Sequence, residues 1–290
     1  MINHLEFVNL FIYILGDGKM QIFFCILIFM MGTVFGSFFT LAVYRIPLNK
    51  NILYERSFCP KCNHKLEFLD LIPVLSYIFL RGKCRYCGEK VRIRYLILEV
   101  LSGLVFLIAY LSLKMVFPFF DISKLIYFIA FIMFYITIIL ISGIDKEYFM
   151  VDKRVLLFGL TMHSIYVIYI YMFEYDFYII LQYLALLVFE FLTLFIDTML
   201  LKKVGESKYF IQVLSFIIYV IMFLSIKYLW IFIILSLLLM IFYKIYIKIK
   251  FNLIEKPDIL QELPTKQIPV AFCIGFSSIV TVIVSNFIVF

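Results

Sequence analysis

The chain has 290 residues, 65% of them hydrophobic, and a mean hydropathy of +1.09. Soluble domains are about half apolar, so this composition excludes an ordinary soluble enzyme and points to a protein that crosses a bilayer several times. The formal charge of +7 does not indicate nucleic acid, because no aromatic-basic stretch and no soluble domain remain to carry such an interface; it fits the Lys and Arg that collect in cytosolic loops of an inner-membrane protein.

The first apolar run, Phe7 to Leu15, lacks a basic flank and a small-residue cleavage site, so it is not expected to be a removable signal peptide. A spanning helix needs about 20 apolar residues. Met20–Tyr44 meets that and is the first expected span. Arg45–Arg94 is polar and basic. Further spans are expected at Tyr95–Val116, Leu125–Ile144, Val155–Phe173, Phe177–Leu201, Tyr209–Ile226, Tyr228–Tyr243 and Gln267–Phe290, with short charged loops between several of them. No internal repeat or low-complexity tract stands out.

Charge sets the orientation. Eight spans put Arg45–Arg94, Asp145–Arg154, Lys202–Lys208 and Lys244–Lys266 on one side, and these hold 22 of the 26 Lys and Arg residues. By the positive-inside rule that side is the cytosol, and both termini face out.

The long polar segment carries two Cys-x-x-Cys knuckles, Cys59/Cys62 and Cys84/Cys87, 21 residues apart. That is near the spacing of a four-thiolate zinc site, and zinc takes four soft ligands in a tetrahedron. Two disulfides are the rival reading, but they need an oxidising compartment, and the charge pattern puts the segment in the cytosol. Four protein ligands leave no open position, so the expected zinc is structural. The expected fold is therefore an all-α polytopic membrane protein of about eight transmembrane helices. A small cytosolic zinc domain (45–94) separates the first span (1–44) from the rest of the bundle (95–290).

Two carboxylates stand where the chain leaves the bilayer on the cytosolic side. Asp145 ends the third span and Glu206 precedes the sixth, 61 positions apart. Two carboxylates held close together share one proton, because both cannot ionise cheaply. Such a pair can hydrolyse a peptide bond: the ionised acid takes a proton from attacking water while the protonated one donates to the carbonyl. Lys208 is expected either to tune the pair or to hold an anionic group. The plainer alternative is that Asp145, Glu147, Asp152 and Glu206 are solvated loop charges. Glu190 and Asp197 are acids within the fifth span and so functional candidates by default. Cys25, Cys273 and His163 read as interior side chains. His64, beside the first knuckle, is a spare ligand that four cysteines make unnecessary.

From about Gly36 to about Gly275 the chain resembles the type IV prepilin peptidases, membrane aspartyl proteases of the Gly-x-Gly-Asp type. The motifs are Gly36-Ser37-Phe38 with Tyr44-Arg45-Ile46-Pro47, then Ser57-x-Cys59-Pro60-x-Cys62 and Asp70-x-Ile72-Pro73-x-x-Ser76. Arg81-Gly82-x-Cys84-Arg85-x-Cys87-Gly88 and Arg94-Tyr95 before Glu99 continue the block. Asp145 with Asp152 resembles the first aspartate motif, Gly205-Glu206-x-Lys208 the second, and Ile268-Pro269 the closing motif. The resemblance implies cleavage of the basic leader of prepilins and pseudopilins after a glycine at the cytosolic face. It also implies methylation of the new N-terminus from S-adenosylmethionine, with Asp145 and Glu206 as the catalytic pair and Gly205, Lys208 and Asp152 in support. Its implied partners are those substrates and the lipid bilayer. No glycine-rich loop marks a place for the methyl donor, so no residues are assigned to it.

The sequence departs from the family at Glu206, where an aspartate is usual, and at Lys203, where the second motif has its first glycine. Val151 replaces a proline, Thr40 an asparagine and Phe272 a proline. The extra methylene of Glu206 moves its carboxylate outward by roughly 1.5 Å. This leaves two rival expectations: a methyltransferase that has lost proteolysis, and a membrane scaffold for pilin assembly with neither activity.

Overall fold

The computed structural model describes residues 18–52, 54, 56–115, 121–173, 177–199, 206–224, 226–253 and 268–289. Eight long helices run through them: α1 Gly18–Arg45, α2 Arg94–Ser112, α3 Ile122–Tyr148, α4 Lys153–Phe173, α5 Phe177–Met199, α6 Glu206–Phe223, α7 Leu229–Leu253 and α8 Val270–Val289. Each falls on one of the eight expected spans, and the all-helical membrane architecture is borne out. Among the described residues, six of them, α1 to α4, α7 and α8, are long and apolar enough to cross a bilayer. The apolar stretch of α6, Tyr209–Phe223, rises only about 22 Å against a hydrocarbon layer of roughly 30 Å.

The described residues form two compact units, divided within α3 between Ile129 and Ala130. In the first unit α1 lies directly on α2 because small residues face each other. A Cβ added to Gly32 would stand 2.7 Å from Ser102 O, and one added to Gly36 would stand 2.8 Å from Glu99 Cα. Gly103 is equally tight against Phe29 and Thr33. Gly32-x-x-x-Gly36 is thus a small-residue seam of the kind that lets membrane helices touch at the backbone.

In the second unit α3 is the central helix. Phe131, Phe134, Ile138 and Ile141 are all buried, at spacings of three and four that draw one stripe down the helix. Phe134 stacks on Phe223 of α6 at 4.1 Å and meets Tyr219 at 5.8 Å. Gly159 of α4 admits Thr137 and Tyr219 into the same layer, and Gly275 of α8 admits Ser142 and Ile138 of α3. Of the α7 surface only 11% of the apolar window is buried, against 61% for α3. Trp230, Ile233, Leu237 and Ile241 on α7 are exposed, which suits contact with lipid.

Candidate functional site

The buried stripe of α3 continues, four residues past Ile141, to Asp145, which is fully buried. A buried carboxylate is tolerable only when hydrogen-bonded, and this one is bonded on both oxygens. Tyr209 Oη donates to Oδ1 at 2.7 Å, and the Phe272 backbone N–H donates to Oδ2 at 3.0 Å. The same Tyr209 hydroxyl accepts the Val270 N–H at 3.1 Å. Val270 and Phe272 belong to the first turn of α8, where backbone N–H groups have no helical partner and attract negative charge. Gly275 makes this possible: lacking a Cβ, it lets α8 close on Ser142, whose hydroxyl donates to Ala271 O at 3.4 Å. Asp145 is therefore locked between α3, α6 and α8, and is no solvated loop charge.

Glu206 is the first residue of α6, three positions before Tyr209. Its side chain and that of Lys208 lie outside the described residues, as does Gly205 altogether. The register of the two helices can still be followed. Phe134 meets Tyr219 and Phe223, and Asp145 meets Tyr209, so α3 and α6 run antiparallel. That register carries the backbone of Glu206 to about the level of Tyr148, one turn beyond Asp145.

Asp152 is buried and fully engaged by Arg154. It accepts the Arg154 backbone N–H at 2.9 Å, as an N-cap of α4 does, and a forked pair from Nε at 3.1 Å and Nη2 at 2.7 Å. Its visible work is to start α4 and hold the α3–α4 turn. Among the other acids, Glu190 of α5 is buried and accepts the Ser215 hydroxyl of α6, while the Asp197 side chain lies outside the described residues. His163 is buried among the rings of Tyr166, Tyr183 and Phe223. Cys273 is buried and Cys25 half-buried, as interior thiols.

The four knuckle cysteines converge. Their sulfurs all lie within 4.8 Å of one another, and Cys59 Sγ is 3.8 Å from Cys87 Sγ. Four sulfurs 2.3 Å from a common tetrahedral zinc stand about 3.8 Å apart, so the group can hold a metal such as zinc. All four are free thiols; the disulfide reading is not met.

The second knuckle repeats the first 25 positions on. Cys59 N–H donates to His64 O and Asn63 N–H to Cys59 O; Cys84 N–H donates to Glu89 O and Gly88 N–H to Cys84 O. Asn63 and Gly88 both take positive φ, the conformation that turns the chain after the second sulfur. This repeat is invisible in sequence beyond the cysteines themselves. The Cys62 backbone N–H brings the Cys59 thiol down to about 7, a step toward the thiolate a metal takes. His64 stacks on Tyr86 at 3.6 Å and is not one of the converging ligands.

Tyr209 and the first turn of α8 are the site members that sequence reading misses. With 21 tyrosines in the chain, residue type alone singles none out, and backbone N–H donors leave no mark in a sequence. Their one hint was Ile268-Pro269, which closes the loop ahead of α8.

Comparison with known proteins bears on the N-terminal part. Residues 30–113 match the model of the bacterial peptidase A24 N-terminal domain. A prepilin leader peptidase/N-methyltransferase of Myxococcus xanthus is 41% identical over 83 residues, covering 29% of this chain and 25% of the relative. One of Klebsiella pneumoniae is 36% identical over 88 residues, covering 28% and 39%. One of Bacillus subtilis is 31% identical over 134 residues, covering 46% and 50%. The chain thus spans half or less of the length of each of these curated relatives. No solved structure matches the chain. The resemblance to type IV prepilin peptidases read from the motifs is borne out to this extent: residues 30–113 match the bacterial peptidase A24 N-terminal domain, and the relatives similar to this chain are named prepilin leader peptidase/N-methyltransferases.

Proposed function

We propose that the protein is a membrane aspartic endopeptidase that removes the basic leader of prepilins and pseudopilins, cutting after a glycine where the bilayer meets the cytosol. Asp145 and Glu206 are the acids. The observation that carries this reading is the Tyr209–Asp145 hydrogen bond, made three residues past Glu206 on the same helix. It ties the start of α6 to the end of α3.

In the proposed reaction, the ionised member of the pair accepts a proton from water as the water oxygen bonds to the scissile carbonyl carbon. The protonated member donates to the carbonyl oxygen. Collapse of that adduct breaks the C–N bond, and the leaving amine takes a proton back from the pair. Gly205 and Lys208 support the second acid, and Asp152 sets the turn behind the first. The proposed setting is the inner membrane, with the basic loops in the cytosol and 45–94 as a separate domain.

Cys59, Cys62, Cys84 and Cys87 would hold a structural zinc, which would offset half the charge of four crowded thiolates and pin the two knuckles together. Among the described residues, Gly82 and Gly88 sit in tight turns and Gly32, Gly36 and Gly103 are filled by helix contacts, so none of these five marks a cradle for S-adenosylmethionine. Methyl transfer is therefore carried by the relatives' names alone. A methyltransferase without proteolysis is the second reading, favoured by one fact: the family match lies in residues 30–113, away from Asp145 and Glu206.

The test is to incubate the purified protein with a full-length prepilin and read the mass of the product's N-terminus. Loss of the leader supports the endopeptidase. An intact leader, with methyl transfer to a pre-cut pilin, supports the second reading.

A further inference from the structure

We infer that the segment Phe68–Phe79 is a membrane-surface anchor, lying in the headgroup layer of the bilayer at the α1–α2 loop. Inside a polar loop this segment keeps six large apolar side chains in the open: Phe68 and Phe79 are each 79% exposed, Ile78 59%, and Leu69, Leu71 and Leu75 over 40%. They sit on a 3-10 turn, Phe68–Leu71, and a five-residue helix, Leu75–Phe79. An exposed apolar patch of this size marks a surface that something covers.

Two anchors fix where the patch lies. The Val74 N–H donates to Glu99 Oε2 at 2.8 Å. Glu99 is the sixth residue of α2, about 7.5 Å in from the helix start. It also packs on Gly36, nine residues before the end of α1, with the apolar run Phe38–Val43 still to come. The Val74 turn is therefore held at the level of Glu99, with Leu96–Leu98 of α2 and Phe38–Phe39 of α1 still between it and the polar loop, at the edge of the hydrocarbon.

At the other end, Asp70 ties the segment to the second knuckle. It pairs with Arg85 Nε at 2.8 Å and accepts the Tyr86 hydroxyl at 3.1 Å. With Asp70 and Glu99 engaged internally, the rim just beyond Phe79 is net basic: Arg81, Lys83, Lys90 and Arg92 are exposed against Glu89, with Glu67 the exposed acid at the far end ahead of Phe68. Apolar side chains flanked by Lys and Arg are the composition of an interfacial anchor on anionic lipid. A bilayer is the one occupant that matches both the depth and the charge. The inference does not depend on the proposed proteolysis.

The test uses the full-length protein with Trp230, the chain's single tryptophan, replaced by Phe. Phe79→Trp and Phe68→Trp are made separately and reconstituted into phosphatidylglycerol-containing bilayers brominated near the headgroups or near the chain ends. Lys90→Trp serves as the water-exposed reference. Both tryptophans are expected to emit to the blue of the reference and to be quenched more by the shallow bromines than by the deep ones. Adding Arg81→Glu and Lys83→Glu is expected to reduce that quenching; no reduction would overturn the headgroup contact. Emission matching the reference, or blue emission that no bromine quenches, would overturn the anchor, the second outcome showing protein cover instead.

Discussion

Tyr209 holds Asp145: its hydroxyl donates to Oδ1 over 2.7 Å while taking the Val270 N–H over 3.1 Å. One phenol thus joins the acid on α3 to the first residue of α8. If Asp145 is a catalytic acid, Tyr209 is its positioning residue. Tyr209→Phe is expected to lower kcat by about 10- to 100-fold, the scale of a small misplacement of a reacting group, with KM little changed. A kcat equal to the wild type would show that the bond serves folding alone.

Asp145→Asn keeps the shape of the side chain and removes the acid. Leader cleavage is expected to fall by at least about 10²-fold, the lower end for loss of a general acid–base, while insertion and helix content stay normal by circular dichroism. Asp145→Ala is expected to be less stable as well, because the half-buried Tyr209 hydroxyl and Phe272 N–H lose their acceptor, at a cost of up to about 1–3 kcal/mol each.

Glu206 is tested by its shorter homologue. Glu206→Asp restores the acid usual in the family and is expected to cleave at least as well as the wild type, while Glu206→Gln is expected to be inactive. Equal cleavage by all three would remove Glu206 from the pair.

The knuckles make a compositional prediction. Purified protein is expected to carry one zinc per chain by elemental analysis, and Cys62→Ser or a strong chelator to release it. Release is expected to open the Ser57–Val91 region to proteases, since the metal substitutes for a core that so short a segment lacks. Metal-free protein with unchanged protease resistance would contradict this.

The seam between α1 and α2 gives the fold test. Gly36→Leu drives a side chain into the Glu99 backbone, 2.8 Å from its Cβ. Overpacking of this kind costs typically about 1–3 kcal/mol, to be read as a lower thermal midpoint in detergent. Substituting Gly88, whose Cβ would meet nothing within 4 Å, gives a contrast in which only the positive φ is at stake.

What the sequence made legible was periodic or rare. Long apolar runs located all eight helices, and four cysteines in a chain with six located the metal-ligand group. Asp145 was legible as an acid at a membrane edge, but its burial was not. That follows from the three-four stripe of Phe131, Phe134, Ile138 and Ile141 running on into it, a pattern hidden where nearly every neighbour is apolar. Asp152 has a supporting role only through the resemblance; its Arg154 fork lies two residues away and looks like any loop pair until the geometry is seen. Tyr209 and the α8 amides depend on contacts across 61 to 127 positions, which no local pattern encodes.

The pairing of the two acids is tested most directly by a cycle of cleavage rates with full-length prepilin: wild type, Asp145→Asn, Glu206→Gln and the double variant. Residues that act as one unit are strongly non-additive. Each single change is therefore expected to bring cleavage to the same floor, with the double variant no lower. Wild-type cleavage by Asp145→Asn, or losses in the two single variants that multiply in the double, would contradict a shared site.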